Sequence, residues 1–183
     1  MAAASLFKYF HAAFLSQPKA DRQLYRLVKK NAIARIVEVG IRSVGQTTSL
    51  IQVAQRFAPD GKVAYTGLDW FDARPQEQLP LTLKKAHAAL QTTGAQVRLV
   101  PGPPANSLAS IANAHQNTQL LLIAETVSDQ DLESAWFYVP RMLRATSLVF
   151  RERMSPNGQP TYIQISVSDL ADRVERAARR RAA

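Results

Sequence analysis

The sequence predicts an α/β protein, a three-layer α/β/α sandwich around a mostly parallel sheet. Short β-branched or apolar runs alternate along the chain with segments of helical period. The first such unit, R-I-V-E-V-G-I-R-S-V-G-Q-T-T from Arg35 to Thr48, reads as strand, glycine-bounded turn and helix. The run L-L-L-I-A at 120–124 is the most uniformly apolar in the chain, as suits a central strand covered on both faces.

Two helices precede the first strand. Leu6, Phe7, Phe10, Phe14 and Leu15 fall on one helical face, Gln17-Pro18 ends that helix, and Asp21 is placed to cap a second one through Leu24, Leu27 and Val28. Ile36, Val37 and Val39 form the first strand, residues 40–45 a loop, and 49–57 a helix. Asp60-Gly61 marks a turn, and 62–68 reads as a second strand closed by Asp69. A helix over 76–90, broken at its start by Pro80, leads to a third strand at 96–100. Pro101-Gly102-Pro103-Pro104 then forces an irregular loop before a short helix at 107–114.

The fourth strand, 120–124, ends at Glu125. Ser128 with Asp131 three residues on has the form of a capping box, and the helix it opens is expected to run through Leu132, Ala135 and Trp136, with a kink at Pro140. Residues 146–151 form a fifth strand. Ser155-Pro156-Asn157-Gly158 turns the chain into an antiparallel edge strand at 161–167, and a final helix from about Ser168 carries Asp169 near its start and Arg179, Arg180 and Arg181 near its end, as the helix dipole favours. The expected organisation is a helical segment at 1–34, an α/β domain at 35–167 and a basic C-terminal helix at 168–183.

Composition narrows the function. The 183 residues contain no cysteine, which excludes thiolate nucleophiles and thiolate metal sites. The net charge of +9 is not spread over the fold: residues 1–35 contribute +6, residues 171–183 contribute +3, and the 135 residues between hold eleven charges of each sign. A whole-fold nucleic-acid platform is therefore disfavoured, although the basic ends could tether RNA, DNA or an anionic surface. No stretch reaches the roughly 20 apolar residues of a membrane span, and Lys8 and His11 interrupt the apolar N-terminal run, so the protein is read as cytoplasmic. Serine-hydrolase, zinc-protease and phosphate-loop motifs are absent, and no compact spacing of Glu125, Asp129 and Glu152 marks a metal site.

The first β-turn-α unit delivers a helix N-terminus to the carboxyl edge of the sheet, where open α/β folds bind ligands. Glu38 stands out as an acid in an apolar strand, since a buried carboxylate needs donors from a ligand or from the protein. Asp69 follows Gly45 by 24 residues, near the spacing of about 20 at which such folds place an acid on ribose hydroxyls.

The alternation of strands and helices, the phrase E-V-G opening the first loop and the acid closing the second strand together resemble the class I S-adenosylmethionine-dependent methyltransferases, over about residues 36–150. The resemblance implies a Rossmann-like sheet of order 3-2-1-4-5 with the antiparallel strand beside the fifth, and S-adenosylmethionine as cofactor. It would place Glu38 and Gly40 beside the methionine part, Asp69 on the ribose and Trp70 over the adenine, with Gly45 also among the cofactor-binding residues. Arg42 and Val44 stand where the tighter family loop has glycines, so Arg42 would either reach the cofactor's carboxylate or obstruct it. Glu125, ending a buried strand at the ligand edge, is the candidate acceptor base. The expected activity is methyl transfer to a small-molecule acceptor. A catalytically silent methyltransferase-like module acting through its basic ends is the alternative, and a nicotinamide-binding protein fits least because the loop lacks G-x-G-x-x-G.

Overall fold

The computed structural model describes residues 18–182; the helix expected at 5–16 lies outside them. Five parallel strands, β1 (Arg35–Val39), β2 (Ala64–Asp69), β3 (Gln96–Pro101), β4 (Thr118–Ile123) and β5 (Leu143–Met154), are joined by β6 (Pro160–Gln164), which runs antiparallel to β5. Their order is β3-β2-β1-β4-β5-β6, as expected. Described helices are α1 (Lys19–Lys30), α2 (Val44–Phe57), α3 (Leu83–Gln91), α4 (Pro104–Ile111), α5 (Asp129–Leu132) and α6 (Val167–Ala182).

Strand alternation sends side chains to two cores. Ile36, Tyr65, Leu120, Leu122 and Phe150 pack on one face under Leu24, Tyr25 and Val28 of α1 and Leu50, Ile51 and Ala54 of α2. Val37, Val39, Leu68, Leu121, Ile123 and Val149 pack on the other under Leu108 and Ile111 of α4, Trp136 and Ala177 of α6. β4 is covered on both faces, which is why its sequence shows no polar alternation.

Several boundaries depart from the sequence reading. α2 begins at Val44, so Gly45 lies in its first turn and the loop shrinks to residues 40–43. α1 begins at Lys19, so Asp21 sits inside the first turn with its side chain turned to tertiary partners instead of capping. α3 starts only at Leu83, capped by Thr82, because Pro80 and the turn before it cannot join the helix. α4 starts early, at Pro104, where proline's missing N–H costs nothing. The capping box of Ser128 and Asp131 forms as expected, but the helix stops at Leu132 and breaks into 3-10 turns at Ala135–Phe137 and Val139–Arg141. There Trp136 and Val139 both enter the second core.

Candidate functional site

The carboxyl edge of β1, β2, β4 and β5 collects Glu38, Gly40, Arg42, Asp69, Trp70, Glu125 and Glu152. Gly40 has φ +77°, and a Cβ there would lie 2.7 Å from Val127 Cγ2 and 3.0 Å from Ala124 Cβ. Its glycine is therefore required by the turn and by the close approach of the loop after β4. Gly45 differs: it has ordinary helical geometry, and a Cβ would meet only Ser43 Oγ, at 3.7 Å. Ser43 makes no side-chain cap, so the first turn of α2 keeps its N–H groups free of side-chain acceptors.

Glu38 is held by two protein donors. Tyr65 Oη donates to Oε2 at 2.6 Å and Thr47 Oγ1 donates to the same oxygen at 2.9 Å. Glu38 pairs in register with Gly67, and a Cβ at Gly67 would lie 2.9 Å from Tyr65 Oη, so the missing side chain makes the room through which the phenol reaches the acid. Burial pushes the Glu38 carboxyl up to about 7 against the pull of these two donors.

Arg42 points away from the glycine turn toward α1 and β5. Nη2 donates to Asp21 Oδ1 at 2.8 Å, Nη1 donates to Glu152 Oε1, and Nε donates to Gln46 Oε1 at 2.6 Å. Tyr162 Oη and Gln46 Nε2 complete the cluster on Asp21, which is 2% exposed. These residues and Glu38 line a cavity of about 20 Å³, room for one water-sized guest. Arg42 is committed to the protein's own acids.

Asp69, 4% exposed, lies at the end of β2 as expected, and its oxygens are fully used. Phe71 N (2.9 Å) and Arg74 Nε (2.7 Å) donate to Oδ1; Ile41 N (2.7 Å) and Arg74 Nη2 (2.6 Å) donate to Oδ2. Trp70 is partly buried beside it and opens the 3-10 turn Phe71–Ala73 that returns Arg74 to Asp69. Arg74 is the residue that sequence reasoning missed. No local motif marks it, and its partners Ile41 and Leu79 come from two other loops.

Glu125 follows β4. Its backbone N–H donates to Glu152 Oε2 at 3.3 Å, while its own Oε2 is buried without a hydrogen-bond partner, 3.7 Å from Arg153 Nη1. Asp129 lies nearby on α5, 2.7 Å from Arg153 Nη2. Glu125, Asp129 and Glu152 are thus each neighboured by arginine. On α6, Arg173 stacks over Trp136, Arg180 pairs with Glu133 and Arg181 donates to Tyr138 Oη, so much of the C-terminal basic charge folds back on the domain.

No protein-family model matches the sequence, and no curated protein does. Solved structures match its shape. An O-methyltransferase from Bacillus cereus in complex with SAH aligns over 99% of this chain and 76% of its own at 15% identity, with a TM-score of 0.56. The O-methyltransferase TomG from Streptomyces achromogenes, involved in tomaymycin synthesis and solved with SAM, aligns over 97% and 77% at 14% identity and 0.55. The chain shares the Rossmann-like α/β fold of these structures. A third match, the cofactor-bound Rv0187 from MTB, covers 97% of this chain and 75% of that one at 18% identity and 0.53, so about a quarter of each relative has no counterpart here.

Proposed function

We propose that this chain is an S-adenosylmethionine-dependent methyltransferase with a small-molecule acceptor. The observation that carries the reading is the shared placement of Glu38, Gly40, Asp69 and the uncapped first turn of α2 on one edge of a sheet whose shape matches methyltransferases solved with SAM and SAH. The methionine end has groups that suit it: backbone N–H donors at the start of α2 for a carboxylate, and Glu38, whose two protein donors both fall on Oε2. The ribose end needs one change, because Asp69 accepts four hydrogen bonds and must lose Arg74 before it can accept from a hydroxyl.

When bound, the cofactor supplies a methyl group on a sulfonium. This chain's task is to align the acceptor and receive its proton. Glu125 is the residue proposed for that proton, since it follows β4 at this edge with Oε2 buried and unpartnered among the described residues.

Isothermal titration with S-adenosylmethionine and S-adenosylhomocysteine tests the proposal, with Arg74→Ala as the informative variant. Saturable binding that tightens in Arg74→Ala supports a cofactor site that competes with the arginine. Absence of binding at millimolar ligand in both proteins favours the second reading, a methyltransferase-like module without cofactor. One specific observation speaks for that reading, namely that Asp69 has no acceptor capacity left while Arg74 stays in place.

A further inference from the structure

The loop after β4 and the end of β5 hold a second cluster of charge, on the sheet face opposite Glu38. Arg151 is 4% exposed, yet its Nε and Nη1 have no hydrogen-bond partner among the described residues. Only Nη2 is engaged, donating to Val127 O and lying 3.5 Å from Asp129 Oδ1. Folded proteins leave few buried donors unpaired, and stranded guanidinium donors are among the costliest. Two further cations flank it. Arg153, two residues on along β5, reaches Asp129 at 2.7 Å and Glu125 at 3.7 Å, and Arg173 of α6 lies with its guanidinium 5.0 Å from the Trp136 ring. Burial first, then repulsion from Arg153, lowers the pKa of Arg151, while Asp129 and Glu125 act to raise it.

Asp129 is the telling neighbour. Its side chain is 60% exposed, and it sits at the end of a loop with one carboxylate oxygen toward Arg151 and the other on Arg153. It thus spans the two guanidiniums as the carboxylate of a ligand would, from a position that solvent can reach and an incoming anion can take over.

We propose that Arg151 and Arg153, with Arg173 beside them, form a binding site for the oxyanion of a small acidic ligand, a carboxylate or a phosphate, and that Asp129 holds the site until the ligand displaces it. Arg153 and Arg151 Nη2, the groups that Asp129 now holds, supply the hydrogen bonds; Glu125, 3.7 Å from Arg153, opposes the anion. Under the proposed function this ligand is the methyl acceptor, and only that assignment rests on that reading.

Trp136, stacked under Arg173, provides the readout. The full chain carrying Trp70→Phe, so that Trp136 is the sole tryptophan and is excited selectively over the tyrosines, is titrated separately with inorganic phosphate and with succinate at constant ionic strength and without S-adenosylmethionine. A saturable change in emission is expected with at least one probe, and which probe acts distinguishes phosphate from carboxylate. Removing the internal competitor with Asp129→Asn is expected to tighten binding roughly threefold, and Arg153→Gln to weaken it roughly fivefold, the range of a half-exposed ion pair. No saturable response to either probe, or an affinity that Asp129→Asn leaves unchanged or lowers, overturns the proposal. If S-adenosylmethionine fails to bind while this response persists, the oxyanion site stands and the methyltransferase reading falls. The reverse result removes only the site.

Discussion

Arg74 holds both oxygens of Asp69, donating from Nε to Oδ1 at 2.7 Å and from Nη2 to Oδ2 at 2.6 Å, and is itself tied to the carbonyls of Ile41 and Leu79. The pair is nearly dry, with side chains 7% and 3% exposed. Its two halves should respond unequally to removal. Asp69→Ala strands a buried guanidinium and the N–H groups of Ile41 and Phe71, and is expected to cost about 3–5 kcal/mol. Arg74→Ala leaves Asp69 with those two backbone donors and is expected to cost only about 1–3 kcal/mol. Urea unfolding of both variants checks this; equal losses would mean that the carboxylate does not organise the loop.

Glu38 makes stability depend on pH. Its carboxyl is raised from 4.5 to about 7, chiefly by burial. The folded state therefore binds a proton that the unfolded chain has released. The stabilisation is complete below about pH 4.5 and is lost as pH rises through about 7, by up to about 3 kcal/mol at 1.36 kcal/mol per pKa unit. Glu38→Gln retains an acceptor for Tyr65 and Thr47 and removes the ionisation. Comparing urea midpoints at acid and alkaline pH, the variant should lack the part of the wild-type decline that falls between these two values.

Three glycines separate conformational strain from packing. Gly94→Ala meets nothing within 4 Å at φ +75° and should cost only the left-handed penalty of about 1–2 kcal/mol. Gly40→Ala carries that penalty at φ +77° and also drives a methyl to 2.7 Å from Val127 Cγ2, so its cost should be greater by about 1–3 kcal/mol. Gly45→Ala, in the first turn of α2 with space around it, should raise stability by about 0.5–1 kcal/mol. Thermal unfolding ranks the three. Loss of S-adenosylmethionine binding in the stabilised Gly45→Ala protein would show that a ligand approaches there.

What could be read from the sequence was whatever depends on local period. The strands and helices, with Glu38 in the first strand and Asp69 closing the second, follow from alternating periods whose signal spans only a few residues at a time, while the strand order follows from the family resemblance. The partners of those acids could not be read. Arg42 and Glu152 are 110 residues apart, and Tyr162 and Asp21 are 141 apart. Arg74 reaches Asp69 only because Phe71 takes a left-handed φ of 49° while its ring is buried with Ile41 and Ala86. Nothing in the local pattern of Phe71 announces that conformation. Misread helix limits have the same origin. Val44 and Gly45 look like loop residues, yet enter α2 because the turn before it closes in four residues.

Arg42 joins α1, β5 and α2 through Asp21, Glu152 and Gln46, and its replacement by methionine gives the sharpest test of whether that role is structural. Asp21 and Glu152 are 2% and 3% exposed and share this one guanidinium. Burial already raises the Glu152 carboxyl, with Arg42 acting against the rise. Without Arg42 the Glu152 carboxyl would be raised further, and the cost at neutral pH should be about 3–5 kcal/mol, as for other buried pairs that lose one partner. The raised folded pKa of Glu152 means that this cost shrinks as pH falls and its carboxyl takes up a proton. Arg42→Met should therefore be strongly destabilised at pH above neutrality and recover most of the difference in mild acid, as measured by thermal unfolding across that range. A loss independent of pH would show that Arg42 acts by packing, and a negligible loss would return it to the ligand site.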